Sequence, residues 1–248
     1  MSRVLLITGA SRGIGAATAL LAARDGWTVA LNYRQDRAAA EAVRERILAD
    51  GGRAALFQAD VSQEAEIVRL FQAVAAAFGQ LHGLVNNAGA TAPMGRFDSF
   101  DAERLQHMLS LNVLGPMLCC REAVRRLSTL HGGQGGVIVN VSSAASRLGS
   151  AGEYVDYAAC KGAIDSLTLG LAREVAAEGV RVNAVRPGLI DTEIHALSGE
   201  PGRVARLSAS VPMQRGGRAD EVAAAIVWLL SDAASFCTGS VLDVSGGR

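Results

Sequence analysis

Thr8-Gly9-Ala10-Ser11-Arg12-Gly13-Ile14-Gly15 is the stretch on which the reading of this chain turns. It follows a short apolar run that begins at Val4, and it opens an Ala-rich amphipathic segment. A strand that ends in glycines and restarts as a helix suits a phosphate. Glycine permits a tight turn and close backbone approach, and the helix N-terminus offers unpaired N–H groups. The spacing is Gly9-x-x-x-Gly13-x-Gly15, so the general G-x-G-x-x-G expression fails while its mechanics still apply. Alone, such a cluster is more often an ordinary turn. Its position between the first strand and the first helix gives it weight.

Outward from this loop, short β-branched runs alternate with longer amphipathic segments. The pattern predicts strands near 3–8, 28–32, 54–59, 82–86, 136–141, 180–185 and 240–244, and helices near 13–25, 36–50, 63–78, 101–129, 155–178 and 219–231. Strands alternating with helices imply parallel pairing. Continuous apolar strands such as Val137-Ile138-Val139 suit a sheet covered on both faces. The expected fold class is therefore α/β, a doubly wound parallel sheet (Rossmann fold) of about seven strands, forming one domain over residues 1–248. The segment 191–215, with Gly199, Pro201, Gly202 and Pro212, is the least regular part. It reads as a cover over a substrate site or as a plain surface excursion.

Composition removes several classes of function. The 248 residues are 50% hydrophobic, enough for one large core and too apolar for a disordered chain. Twenty-four basic residues balance twenty-four acidic ones, without the basic excess of a nucleic-acid binder. Cys119, Cys120, Cys160 and Cys237 match neither a zinc motif nor a disulfide framework, so no metal is expected and a reducing, cytoplasmic compartment is the simplest reading. The first apolar run is too short for a signal peptide, and no stretch of ~18 apolar residues predicts a membrane span.

Further motifs follow in order: Asp60-Val61 after the third strand, Asn86-Asn87-Ala88-Gly89 at the end of the fourth, Asn112 in the next helix, Ser142-Ser143 ending the fifth strand, Tyr157-x-x-x-Lys161 on the following helix, then Pro187-Gly188 and Thr192. With the glycine loop, this series resembles the short-chain dehydrogenase/reductase family over the whole chain. The resemblance implies a nicotinamide dinucleotide held by Gly9, Ser11, Arg12, Gly13, Ile14 and Gly15, with adenine near Asp60 and Val61. It also implies contacts from Asn87, Ala88, Gly89, Tyr157, Lys161, Pro187, Gly188, the Ile190 backbone and Thr192.

The second strand bears on which dinucleotide. NAD-preferring members usually place an acid at its end, bonded to the adenosine ribose. Here it ends Leu31-Asn32-Tyr33-Arg34, with no acid until Asp36. Arg34 and Arg12 could meet a 2′-phosphate, or could be solvated surface arginines. The expected cofactor is NADP(H).

Tyr157 and Lys161, four apart, share one helix face, and an ammonium beside a phenol favours the phenolate. Without the other motifs, a surface Tyr and Lys would be the plainer reading. Ser143 stands at the carboxyl end of a strand, where ligands of open α/β sheets gather. Family members commonly place the active serine thirteen residues before the tyrosine. Here Ser143 lies fourteen before, which one inserted residue in 149–156 would explain, and Ser142 stays open as the alternative. Asn112 reads as a helix irregularity or as a residue with a specific role. The resemblance implies that Ser143 polarises a carbonyl oxygen, Tyr157 exchanges the proton, Lys161 holds the ribose and lowers the tyrosine pKa, and Asn112 anchors a relay water.

Substrate identity lies in the loops, whose residues include Met94, Arg96, Arg147, Glu153, Tyr154, His195, Met213 and Arg215. Their mixed character disfavours a bulky steroid and fits a small alcohol or carbonyl compound. 3-Oxoacyl-carrier-protein reductases look similar in motif order. They often carry a basic residue where Glu178 stands, and an acid there would repel an acidic carrier. A non-catalytic dinucleotide sensor would be marked by loss of the tyrosine or lysine, and both are present. A methyltransferase would need neither. The resemblance also implies a homotetramer packed through the last helix and strand, around Val222 to Leu230 and Gly239 to Asp243. Burial of those residues within one chain is the alternative.

Overall fold

The computed structural model describes residues 3–194 and 199–248. Seven parallel strands form one sheet: β1 (Val4–Ile7), β2 (Thr28–Tyr33), β3 (Arg53–Gln58), β4 (Gly83–Asn86), β5 (Gly136–Val141), β6 (Val180–Pro187) and, last in the chain, β9 (Val241–Val244). Their spatial order is β3-β2-β1-β4-β5-β6-β9. All seven expected strands are present, and the doubly wound α/β architecture is as the sequence predicts.

Successive strand residues point to opposite faces and meet different helices. On one face Leu6, Ala30, Leu84, Ile138 and Val182 pack with residues of α3 (Glu64–Phe78), α5 (Gly115–Leu127) and α7 (Val155–Val175). On the other, Leu5, Ile7, Val29, Leu31, Val139 and Val185 pack with α1 (Gly13–Arg24), α2 (Arg37–Ala49) and α9 (Ala219–Leu230). Small residues such as Ala19 and Ala22 let α1 approach the sheet closely. Two covered faces explain why β1, β2 and β4 are buried along their whole length.

The chain winds outward from β1 through β2 to β3, then returns to place β4 on the other side of β1. This reversal opens a crevice at the carboxyl ends of β1 and β4, where open α/β sheets bind ligands.

Three elements differ from the sequence reading. The helix expected over 101–129 is broken into α4 (Ala102–Leu109), a π-turn (Ser110–Leu114) and α5. The helix expected to reach 178 ends at Val175 and tightens into a 3₁₀ turn, because Gly179 at φ +78° closes it. A short helix, α6 (Ala145–Leu148), follows β5. At the two ends of the 191–215 segment, β7 (Ile190–Asp191) pairs with β8 (Gly217–Arg218), and α8 (Arg203–Leu207) lies between them in sequence. His195 lies outside the described residues.

Candidate active site

The crevice is a cavity of about 1040 Å³ that runs from the glycine loop to α6 and α8. At its dinucleotide end the backbone is packed against itself. Gly9 has φ +63°, and a Cβ there would stand 2.9 Å from Ala88 Cα. A Cβ on Gly15 would stand 2.4 Å from the Gly9 carbonyl oxygen and 2.5 Å from Asn87 Nδ2. Side chains at either position are thus excluded by the turn. No side chain caps the α1 N-terminus at Arg12, and its first turn holds no acid. These first-turn N–H groups have the arrangement that binds phosphate oxygens.

Asn87 and Thr8 clamp this turn. Asn87 Nδ2 donates to the Thr8 and Gly9 carbonyls at 3.0 and 2.9 Å, while Thr8 Oγ1 accepts the Asn87 and Ala88 N–H groups. Asn32, which sequence reasoning did not single out, completes the clamp. Its Oδ1 accepts the Gly9 N–H at 3.2 Å, and its Nδ2 donates to the Phe57 and Ala59 carbonyls. A buried amide in the apolar Val29-Ala30-Leu31 strand was the available signal.

Of the expected cofactor residues, Ser11, Arg12, Gly13, Ile14, Arg34, Asp60, Val61, Ala88, Gly89, Pro187, Gly188, Ile190 and Thr192 line the cavity, as do Gly9, Asn87, Tyr157 and Lys161. Gly15 lies behind the turn. The absence of an acid after the second strand proves incomplete. Asp36 also lines the cavity, and Arg12 Nη2 donates to its Oδ2 at 2.6 Å. Arg34 Nη1 lies 3.9 Å from Asp60 Oδ2. Both candidate phosphate arginines are therefore ion-paired.

Ser143, Tyr157 and Lys161 converge further along the wall. Tyr157 and Ser143 line this wall together, with Ser143 near enough to favour the phenolate, and Ser143 Oγ accepts the Ala145 N–H at 3.1 Å. Ser142 instead is buried and donates from Oγ to the Lys161 carbonyl at 3.2 Å, joining β5 to α7. Lys161 Nζ donates to the Val141 carbonyl at 2.8 Å and lies 5.5 Å from the Tyr157 ring centre. Burial pulls the Lys161 ammonium down to about 8. Burial also pushes the Tyr157 phenol up to about 12, against the opposing effect of Ser143. The Lys161 ammonium is not among the causes of this shift, which runs opposite to the lowering the sequence suggests.

Asn112 does not reach the cavity wall. It is buried in the π-turn, donating from Nδ2 to the Ala90 and Met108 carbonyls at 3.1 Å and accepting the Ala90 N–H at 3.2 Å. It anchors the chain that leaves Gly89. Just ahead of the tyrosine, buried Asp156 accepts the Tyr157 N–H at 2.9 Å and pairs with Arg104 of α4 at 2.8 Å.

At the substrate end, Glu153 and Tyr154 line the wall. Arg203 of α8, buried to 7% exposure, pairs with Glu153 and Glu200 and lies over the Tyr154 ring. Its position in an irregular segment gave no sign of this contact. Arg96, Arg147, Met213 and Arg215 do not line the cavity. The three arginines pair with Asp98, Asp243 and Glu221, and Met213 is exposed. Met94 contacts the Arg203 guanidinium through sulfur at 3.5 Å. Among the described residues, no cluster of three ligating side chains could hold a metal, and no helix is long and apolar enough to cross a membrane.

A parallel sheet that reverses at β1, with a glycine turn, a Ser-Tyr-Lys cluster and one shared cavity, defines a dinucleotide-linked dehydrogenase or reductase, and the chain belongs to the short-chain dehydrogenase/reductase family. The family model described as "Enoyl-(Acyl carrier protein) reductase" matches residues 9–248. The uncharacterized oxidoreductase YgfF of Escherichia coli strain K12 is 58% identical over 245 residues, covering 99% of each chain. A 3-oxoacyl-[acyl-carrier-protein] reductase of Synechocystis is 38% identical over 99% of this chain and 96% of its own. A short-chain dehydrogenase of Burkholderia cenocepacia, solved in complex with NADP, superposes with a TM-score of 0.89 at 34% identity, over 99% of this chain and 97% of that one.

Proposed function

We propose that this protein is an NADP(H)-dependent oxidoreductase that interconverts a small alcohol and its carbonyl compound. The observation that carries the reading is one cavity lined by both the glycine turn and Ser143, Tyr157 and Lys161. The residues fit a nicotinamide dinucleotide: the turn excludes side chains at Gly9 and Gly15, and the α1 N-terminus is uncapped. When bound, that cofactor supplies or accepts a hydride. Gly13, Ile14 and Thr192 would hold its phosphates, Asp60 and Val61 the adenine, Asn87 to Gly89 and Lys161 the nicotinamide ribose, and Pro187 to Ile190 the nicotinamide.

The chain's own residues would then manage one proton. Ser143 Oγ donates to the carbonyl oxygen and orients it. Tyr157 Oη, protonated because burial disfavours its anion, delivers its proton to that oxygen as the alcohol forms. Lys161, fixed to Val141, supplies positive charge as the phenolate develops, and Asn112 acts indirectly by holding the Ala90 backbone. Of the segment 191–215, the described residues 191–194 and 199–215 would cover the substrate, with Arg203 fastened to Glu153. We further infer a cytoplasmic homotetramer, on the family resemblance and on four cysteines without a disulfide.

Tyr157→Phe removes the proton donor while leaving the glycine turn intact. We expect turnover to fall by at least ~100-fold with NADPH binding retained. The assay is a panel of ketones, sugars and acyl thioesters with NADPH and with NADH. Retained turnover in the variant would refute the proton path. Absence of turnover in both proteins with NADPH still bound would favour a redox sensor. Preferential turnover of acyl thioesters would favour the carrier-protein reductase reading. That reading has Glu178 against it, a half-buried acid whose carboxylate accepts the Ser128 hydroxyl at 2.5 Å.

A further inference from the structure

Tyr157, Lys161 and Asp165 recur at intervals of four along α7, so the three stand on one face of that helix. Helical side chains lean toward the N-terminus, which inclines a carboxylate at 165 toward the turn that holds Lys161. The Asp165 side chain is only 14% exposed, and it is only half satisfied. Its Oδ2 accepts from Arg186 Nε of β6 at 3.0 Å, while Oδ1 is enclosed without a hydrogen-bond partner. A carboxylate oxygen in that state costs stability unless another group gains from its charge. Arg186 is itself shared: its Nη1 lies 3.7 Å from Asp243 of β9, which Arg147 also approaches at 3.4 Å.

Lys161 is the group that gains. It is the only lysine in the chain, every other strong base being an arginine. Its ammonium is buried and donates to the Val141 carbonyl of β5. A Cβ on Gly89 would stand 3.5 Å from Nζ and 2.8 Å from Asn112 Oδ1, so the loop after β4 and the π-turn bring backbone and an uncharged amide to it. On α7 itself, Cys160 and Asp165 act to keep the ammonium charged. Burial pushes the Cys160 thiol up to about 11 and the Tyr157 phenol up to about 12, so both are uncharged in neutral solution. Asp165 is left as the anion.

We propose that Asp165 is a positioning residue for the proton path, acting through Lys161: one turn along the same face of α7, its carboxylate keeps the buried lysine an ammonium in neutral solution. The consequence for turnover rests on the oxidoreductase reading above, whereas the charge relation does not. Burial pulls Lys161 down to about 8 even with Asp165 in place. Losing that carboxylate would lower it by about one unit more and leave roughly half of it neutral in neutral solution. Tyr157 would then give up its proton beside a lysine that no longer carries charge.

A single lysine makes the test direct. Protein grown on lysine isotope-labelled at Cε gives one side-chain resonance, whose position followed against pH is the titration of Lys161. The parent is compared with Asp165→Asn, which removes the charge and can still accept from Arg186, and with Asp165→Glu, which keeps the charge. The midpoint should fall by about one unit in Asp165→Asn and by less than about half a unit in Asp165→Glu. The alkaline limb of the turnover profile should move to lower pH by a similar amount in Asp165→Asn. Should thermal unfolding show that Asp165→Asn is misfolded, Asp165→Ser carries the same expectation. A Lys161 midpoint that stays in place without the carboxylate overturns the proposal, as does an equal fall in Asp165→Glu. If the midpoint falls as expected and no substrate in the panel turns over, the oxidoreductase reading fails and the charge relation between Asp165 and Lys161 stands.

Discussion

Burial of the Lys161 ammonium between β5 and α7 favours loss of its proton and brings the group down to about 8. The unfolded chain holds the same proton to ~10. Below the folded value the native state carries the whole cost of a desolvated charge. As pH rises from about 8 toward ~10, that cost disappears and stability increases. Tyr157 acts in the opposite sense, since its folded phenol is pushed up to about 12 and stability falls between ~10 and that value. Lys161→Met removes the first effect alone. We expect the variant to gain on the parent by roughly 2 kcal/mol near neutral pH, and to lose that gain above ~10. Urea unfolding across this range measures it, and parallel stability profiles for the two proteins would refute it. The residue types of this site were legible in the sequence because they sit in an ordered series of motifs at strand ends and on one helix face. The direction of the tyrosine shift was not, because it depends on how deeply the phenol is enclosed.

Among elements, α4 and α7 are joined by a buried ion pair. Asp156 is nearly inaccessible, and Arg104 reaches it with Nε at 2.8 Å and Nη2 at 3.3 Å while donating from Nη1 to the Pro93 carbonyl at 2.6 Å. The same guanidinium lies 3.4 Å from the Phe100 ring centre. One side chain thus ties the loop after β4, the start of α4 and the first turn of the helix that carries Tyr157. Removing only the arginine leaves a buried carboxylate without its partner. We expect Arg104→Met to lower stability by about 3 kcal/mol, and Arg104→Met with Asp156→Asn to recover part of that loss, since the amide oxygen can still accept the Tyr157 N–H. Additive losses in urea unfolding would show that the two residues do not act as a pair. Nothing in the spacing of the sequence announces this contact, because it joins positions 104 and 156 through the fold. The break at Ser110–Leu114 was hidden for a related reason. A π-turn keeps the helical pattern of apolar residues on either side, and only the buried polar Asn112 marked the place.

Across the whole molecule, the strand order was legible because a sheet buried on both faces must be built from continuous apolar runs joined by helices. What the sheet does at its ends was not. β9 pairs only with β6 and forms one edge. Half of α9 is spent inside the chain: Val222, Ala223, Ile226, Val227, Leu229 and Leu230 are all buried. Three large apolar side chains near this edge remain exposed, namely Trp228 at 44%, Phe236 at 104% and Leu242 at 38%. A second set lies on α4, the π-turn and α5, at Leu109, Leu114 and Met117. Exposed strand edges and apolar patches favour association, and two separate surfaces suffice to build a tetramer with two kinds of two-fold contact. We expect light scattering to give four times the chain mass for the parent. Phe236→Asp together with Trp228→Lys should halve it by opening one contact and sparing the other. Neither residue lines the cavity, so NADPH binding by the smaller species should persist. A monomeric parent would refute assembly, whereas an unaffected tetramer would move its interfaces away from the β9 edge.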